Sequence, residues 1–520
     1  MGISKENYKK AWDLHAWAGV IVGLLAAVMF GTGAAVVFQG EIETWQDPLA
    51  QKPAPAPDYE RWSEVAEAAF ESTPPRQFTL WLPDGDRGYP RVGYFSGETG
   101  RYRMEWIDPD EREVIPQREK LGTLFFHIHT FYDVRFPSLY DFAGIVALVL
   151  VLVIVTGVVI QWHNLVAQFH QFRVDARPMV RWNDLHKVIG VTTLPFQLFF
   201  AYSAAIIVLA PFFVDAVVDP VFGGDRTAAK AGMYGRLPLP EASDKDSTGE
   251  TYRSMDTLVE TAEHRVEGLD ANKIMFRNWR RSNPRADIEG PVEGDRFGHA
   301  IVRLDPTTGE VTRIARPSQQ TRAAELRGWI AEIHSVNFGG FWTRLLLALL
   351  SLAAAASMLA GIVVWFARRR RQRDAFVDHV LEKLTAGVGT GIVVAMATSF
   401  AASRLLPWHM PGRLGAQELT YYLAFSACIV AAFFASKIRR FWCVQLSIAG
   451  LLFGVTPLLT APRSTAGVVG ILTSSSTETV PAVIGVDIGL IVVGVALVGS
   501  AWALGRSASS AGEKAESAPS

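Results

Sequence analysis

Apolar residues along the chain gather in long blocks separated by polar stretches. Ala16 to Gly40, Phe142 to Phe172, Val188 to Val214 and Leu345 to Ala367 contain no Asp, Glu, Lys or Arg. Each is long enough to cross a hydrocarbon layer of roughly 30 Å as a helix. Further blocks run over Leu384–Ser403, Leu419–Ser436 and Phe441–Pro462, and a last one from about Pro481 to Leu504 is interrupted only by Asp487. The pattern predicts an α-helical integral membrane protein of about eight spans.

Two polar stretches, 41–121 and 215–327, are too long to be simple turns, and each has its own pattern. "YERWSEVAEAAFE" and "TYRSMDTLVETAEHRV" read as amphipathic helices. Downstream, "MEWIDPDEREVIP" and "AIVRLDPTTGEVTRI" each place Asp-Pro between two strand-like runs, the pattern of a hairpin. Each stretch is therefore expected to fold as a small α+β module. Each is followed by a matching return to the apolar phase: "LFFHIHTFYDVRFPSLYDFAG" and "LRGWIAEIHSVNFGGFWTRLL", both with Ile-His before an irregular patch. Those spans close in Gly157 with Trp162 and Gly361 with Trp365.

The spans that precede the modules also match. "DLHAWAG" over 13–19 and "DLHKVIG" over 184–190 share Asp-Leu-His-x-x-x-Gly. The unit of DLHxxxG, span, module, Ile-His and span thus occurs twice within residues 1–373, so the core is a duplicated four-span bundle with a pseudo-twofold axis along the membrane normal. Expected boundaries are a first span to 40, the first module at 41–121, spans two and three at 122–214, the second module at 215–327 and the fourth span at 328–373. A C-terminal four-span bundle at 374–505 and a disordered tail at 506–520 follow; neither shares the repeat.

Charge adds orientation. Lys5, Lys9, Lys10, Arg173, Arg177, Arg181, the run "RRRRQR" from Arg368, and Lys437, Arg439 and Arg440 all flank short loops. By the positive-inside rule these lie on the cytoplasmic side, which puts both termini in the cytoplasm and both modules outside. The first block is read as a retained helix rather than a cleaved signal, because its motif recurs at 184. The formal net charge of -1 argues against a nucleic-acid partner. Only Cys428 and Cys443 are present, both in or beside spans, so the modules have no disulfide framework. Gly387, Gly389 and Gly391 follow no strand and read as close helix packing rather than nucleotide binding.

Candidate chemistry rests on histidine. Of 11 histidines, four are duplicated: His15 with His186 at the cytoplasmic end, and His129 with His334 at the outward end. Equivalent residues facing each other across a pseudo-twofold axis match the axial pair of a six-coordinate haem iron. Gly19 and Gly190, four residues after His15 and His186, leave a bare surface on the same helix face for a flat macrocycle. Asp13 and Asp184 suit helix starts and are candidates to bind a ring N–H, although positions two apart do not share a helix face. His163 and His127 are rival ligands without counterparts in the other repeat; His170, His264, His299, His379 and His409 read as surface. Asp487 is an acidic residue inside an apolar block, a candidate proton or ion partner.

The DLHxxxG span, the "VRLDPTTGEV" stretch, the Ile-His return and the Gly-to-Trp closings resemble the PepSY-associated transmembrane helix family, which includes iron-regulated membrane proteins similar to ferric-siderophore reductases. The resemblance covers residues 1 to about 370. It implies a bacterial inner-membrane di-haem core with periplasmic PepSY-like modules, two haem b groups, and iron ligands at His15, His186, His129 and His334. It also implies an oxidoreductase that passes electrons from quinol or a cytoplasmic reductant to a periplasmic ferric chelate. Trp81, Tyr89, Tyr94, Trp106, Trp279, Arg277, Arg280 and Arg281 are the candidates for holding an aromatic or anionic chelate. The first module departs from the pattern, with "DPDERE" in place of a Gly-containing turn. The alternative reading is a haem-free, membrane-anchored PepSY sensor or inhibitor, or a transporter component.

Overall fold

A computed structural model describes residues 4–516 except 71–74, 84–87, 97–101, 118–119, 133–138, 169–170, 235–236, 238–250, 295–298, 320, 337, 370–374, 408, 461–466 and 468–479. In chain order it contains α1 (Lys5–Val36), α2 (Gln39–Gln46), α3 (Pro48–Gln51) and α4 (Tyr59–Ala68), then β1 (Gln77–Trp81), β2 (Arg91–Phe95), β3 (Tyr102–Asp108) and β4 (Glu113–Pro116). Next come α5 (Leu121–Thr130), α6 (Leu139–Gln161), α7 (Leu165–Gln168), α8 (Pro178–Thr192), α9 (Leu194–Phe222), α10 (Arg226–Tyr234) and α11 (Met255–Arg265). Strands β5 (Lys273–Arg277), β6 (Arg285–Pro291), β7 (His299–Leu304) and β8 (Val311–Ala315) lead to α12 (Arg322–His334). The chain ends in α13 (Phe341–Arg369), α14 (Ala375–Leu405), α15 (Arg413–Phe434), α16 (Ile438–Thr460) and α17 (Pro481–Glu516). These form two compact units, residues 1–46, 119–209 and 339–520 in one, and 47–118 and 210–338 in the other.

The first unit is helical. Among the described residues, seven helices are long and apolar enough to cross a membrane: α1, the stretch Asp141–Ala167 that takes in most of α6, and α13 to α17. The chain is a multi-pass membrane protein. The third expected span, Val188–Val214, differs from a straight helix: Met179–Thr192 and Leu194–Ala210 meet at a 68° bend. Thr193 leaves helical geometry at φ -93 and ψ 5. Pro195 then sits in the first turn of α9, where its missing N–H costs nothing.

Small residues set the helix spacing. A Cβ at Gly387 would stand 2.7 Å from the backbone of Ile429, and one at Gly391 2.9 Å from Cys428 Cβ. Spaced four apart, these glycines let α14 lie directly against α15. Gly450 and Gly494 do the same between α16 and α17, each Cβ meeting the other's carbonyl oxygen at 2.7 Å.

The second unit corrects an expectation. The two polar stretches do not form separate modules; they share one eight-stranded antiparallel sheet ordered β4-β3-β2-β1-β5-β6-β7-β8. Strands β1 and β5 join the halves, with Phe78 opposite Phe276 and Thr79 opposite Met275. A four-stranded half alone would leave β1 or β5 as an unpaired hydrophobic edge, and joining removes both edges. The Phe78 and Phe276 rings stack at 4.8 Å, and Trp279 closes on both.

The helices repeat the symmetry. Glu60 of α4 accepts from Met255 N at 2.7 Å, while Asp256 of α11 accepts from Tyr59 N and Glu60 N at 3.2 and 3.3 Å. Each helix start is thus capped in part by an acid from the other. Both Asp-Pro stretches form hairpin turns. Asp108 accepts from Asp110 N and Glu111 N, and Asp305 from Thr307 N and Thr308 N. Gly309 has φ +76, and Arg112 occupies the same left-handed region with φ 54 in the half that lacks the glycine.

The shared sheet has a direct check. With Cys428 and Cys443 replaced by Ala, Thr79→Cys combined with Met275→Cys is expected to cross-link with a short thiol reagent in native membranes, since paired positions hold Cβ atoms about 5 Å apart. Separate modules would leave the pair unreacted.

Candidate functional site

The first unit brings two of the duplicated histidines together. His15 on α1 and His186 on α8 have ring centres 6.3 Å apart. Each is held by the same device. His15 Nδ1 donates to the carbonyl of Val153 at 2.9 Å, and His186 Nδ1 to that of Ser357 at 2.8 Å. Four residues beyond each acceptor stands a glycine against the imidazole: a Cβ at Gly157 would come 2.9 Å from His15 Cε1, and one at Gly361 2.9 Å from His186 Cε1.

The geometry has a simple cause. A helix carbonyl already accepts from the N–H four residues on, and the side chain of that residue leans back over it. Glycine at that place uncovers the oxygen, whose second lone pair accepts the ring N–H. Because a carbonyl can only accept, the bond fixes the tautomer with hydrogen on Nδ1 and the lone pair on Nε2. Nε2 is then the atom available to a ligand.

His129 on α5 repeats the arrangement. Its Nδ1 donates to Met29 carbonyl at 2.7 Å, and a Cβ at Gly33 would stand 3.1 Å from its Cε1. Ser351 of α13 donates to the neighbouring Phe30 carbonyl at 2.7 Å. Met29 is fourteen residues beyond His15 on α1, so the two levels are separated by roughly 20 Å at 1.5 Å per residue. His334 is the last residue of α12, in the other unit.

The spacing of the inner pair matches that of two imidazoles bonded to one metal ion. Metal–imidazole bonds of about 2 Å on each side of one ion, plus the ring radius, separate opposed ring centres by about 6 Å. Among the described residues there is no group of three or more His, Cys, Asp and Glu able to hold a metal. An iron carried by a macrocycle needs only two protein donors. Gly19 and Gly190 present no side chain beside the pair, and a Cβ there would make ordinary contacts, 3.8 Å to Val153 Cγ1 and 3.5 Å to Ser357 Oγ.

Other candidates fall elsewhere. Asp184 does not meet a ring N–H; it is buried and holds Arg173 through bonds of 2.9 and 2.7 Å. His163 is exposed on the turn after α6, and His127 packs against Tyr132 at 4.9 Å. His264 ends α11, His299 opens β7, and His379 and His409 are exposed; His170 lies outside the described residues. Asp487 is fully buried and accepts from Trp45 Nε1 at 2.8 Å.

The residues expected to hold a chelate are engaged in the second unit's own packing. Trp279 and Tyr94 lie in the core beside the sheet, and burial with the neighbouring Glu105 carboxylate pushes the Tyr94 hydroxyl up to about 12. Trp106 donates to Asp47 at 2.9 Å. Arg277 and Arg303 both bind Asp287, and Arg280 pairs with Glu67. Trp81 folds over Gly93, and Lys52 reaches the hydroxyl of Tyr89. Arg281 is half-buried just after Arg280.

The seats of the histidines, Gly157, Gly361 and Gly33, are the residues that the histidine motifs alone do not reveal. The signal is that Gly157 and Gly361 close equivalent spans of the repeat.

A family model described as the PepSY-associated TM region matches residues 12–368. A Pseudomonas aeruginosa protein that bears only the name of an uncharacterized protein is 25% identical over 315 residues, spanning 56% of this chain and 76% of its own length.

Gly157→Ala and Gly361→Ala should each destabilise the protein by about 1–3 kcal/mol, the cost of overpacking. Thermal unfolding in detergent checks this. Gly190→Ala, which meets only ordinary contacts, should leave the melting of haem-free protein unchanged or raised, as alanine favours a helix by about 1 kcal/mol over glycine.

Proposed function

The chain belongs to the PepSY-associated TM family, and from that premise we propose that it is an inner-membrane di-haem oxidoreductase that reduces a periplasmic ferric chelate for iron acquisition. The observation that carries this reading is the close approach of His15 and His186, ring centres 6.3 Å apart, each with Nδ1 bonded to a carbonyl beside a glycine. In this reading the bent pair α8–α9 is the third of eight spans, both termini are cytoplasmic, and the sheet unit is a periplasmic pair of PepSY-like halves.

His15 and His186 would hold an inner haem b, and His129 with His334 an outer one. When bound, such a group supplies a one-electron couple whose potential its axial ligands and surroundings set. The chain's own residues do the rest. Val153, Ser357 and Met29 carbonyls hold the imidazoles in the ligating tautomer and make them better donors. Gly19 and Gly190 keep a flat surface beside the inner pair. Apolar side chains of α1, α6 and α13 exclude water from the interval between the two levels. The electron donor in this reading is quinol or a cytoplasmic reductant, and the acceptor is Fe(III) in an oxygen-rich chelate, which binds Fe(II) less tightly and so releases the metal.

Membranes from an expressing strain are expected to give a b-type reduced-minus-oxidised spectrum. His186→Ala should remove about half of it, and so should His129→Ala or His334→Ala, each pair holding one of two groups. Gly19→Ala or Gly190→Ala should lower haem content without lowering protein yield. A complete absence of haem bands would instead support a haem-free membrane-anchored sensor.

A further inference from the structure

The last four helices lie beyond residue 368, where the family match ends, yet they are tied to the part of the core that carries His129. The tie is a buried polar cluster at the join of α2, α5 and the C-terminal helices. Asp487 of α17 is fully buried and accepts from Trp45 Nε1 at 2.8 Å. Arg404 of α14, 5% exposed, lies over the same indole at 3.6 Å. It also donates to the carbonyls of Trp45 and, at 3.3 Å, of Gln46. A carboxyl group and a guanidinium, both costly inside an apolar bundle, thus act on one tryptophan. Trp45 and Gln46 end α2, where carbonyls lack helical partners and a cation is favoured.

Gln46 passes the constraint on. Its Oε1 accepts from Leu121 N at 2.9 Å, the first residue of α5, whose own cap residue Lys120 makes no side-chain cap bond. Its Nε2 donates to Gln417 of α15 at 3.4 Å, and Lys120 pairs with Glu418 at 3.4 Å. Beneath this, Phe400 of α14 packs on both Trp45 and Phe125 at 5.5 Å. From Leu121 to His129 is a rise of roughly 12 Å, little more than two turns. So short a helix takes its direction from its anchored first turn.

We infer that the C-terminal bundle is a clamp on α2 and α5, and that Asp487 and Arg404 are positioning residues which aim His129. The consequence for a haem rests on the proposed function; the clamp itself does not.

The experiment uses full-length protein in nanodiscs and compares wild type with Asp487→Leu, Asp487→Asn and Trp45→Phe. Amide deuterium exchange over Leu121–Thr130 and the reduced-minus-oxidised spectrum are measured on each. Exchange in α5 should rise roughly tenfold in Asp487→Leu and Trp45→Phe, as expected for one buried charge-assisted hydrogen bond lost. It should return in Asp487→Asn, whose amide oxygen still accepts the indole N–H, while α6 and α13 keep wild-type exchange. The spectral loss should match that of His129→Ala. Unchanged α5 exchange in folded variants overturns the clamp, whatever the spectrum does. If Asp487→Leu fails to assemble, Trp45→Phe decides, since it keeps the ring and drops only the N–H. A wild type without haem bands removes the proposed function, and exchange then still decides the clamp.

Discussion

The structure turns on one hydrogen bond made three times: an imidazole Nδ1–H given to a helix carbonyl that a glycine has uncovered. His15 on Val153 beside Gly157, His186 on Ser357 beside Gly361, and His129 on Met29 beside Gly33 share it. A neutral histidine inside an apolar bundle must satisfy its N–H, and a neighbouring backbone can do so only where nothing covers the oxygen. The bond closes that requirement and at the same time fixes where Nε2 points. Tautomer and packing are therefore set by one contact at each site, while the surrounding helices hold the imidazole and its partner carbonyl in place.

Two kinds of symmetry are built on this. In the helical unit, the α1–α6 and α8–α13 pairs present equivalent histidines and glycines. In the sheet unit, β1 pairs with β5 and the starts of α4 and α11 are capped reciprocally by Asp256 and Glu60. The duplication works differently in each. One uses it to oppose two side chains, the other to remove two sheet edges. The C-terminal helices, which have no counterpart in the repeat, bind to one side through Asp487, Arg404 and Gln46.

Much of this was legible in the residues themselves. Apolar blocks without charge located the membrane helices, and Asp-Pro between strand-like runs located both hairpins. The DLHxxxG repeat pointed to His15 and His186. What could not be read has physical reasons. The joining of β1 to β5 depends on a pairing between segments almost two hundred residues apart, and no local pattern encodes it. The bend at Thr193 lay inside an uninterrupted apolar block whose hydropathy is blind to direction. Trp106, Trp279 and Arg277 looked like a ligand surface because aromatic and basic residues serve both purposes; Asp47, the Phe78 ring and Asp287 claim them for the fold. Asp487 stood out as an anomaly, but its partner Trp45 is 442 residues away.

The claim that matters most is that His15 and His186 are a pair of axial ligands rather than two satisfied core residues. Near-infrared magnetic circular dichroism of the purified, oxidised protein reads the identity of such ligands directly. The account predicts a bis-imidazole signature that persists in His129→Ala and disappears for the inner centre in His186→Ala. Purified protein with no haem absorption, or with a centre whose ligand signature His186→Ala leaves unchanged, would contradict it.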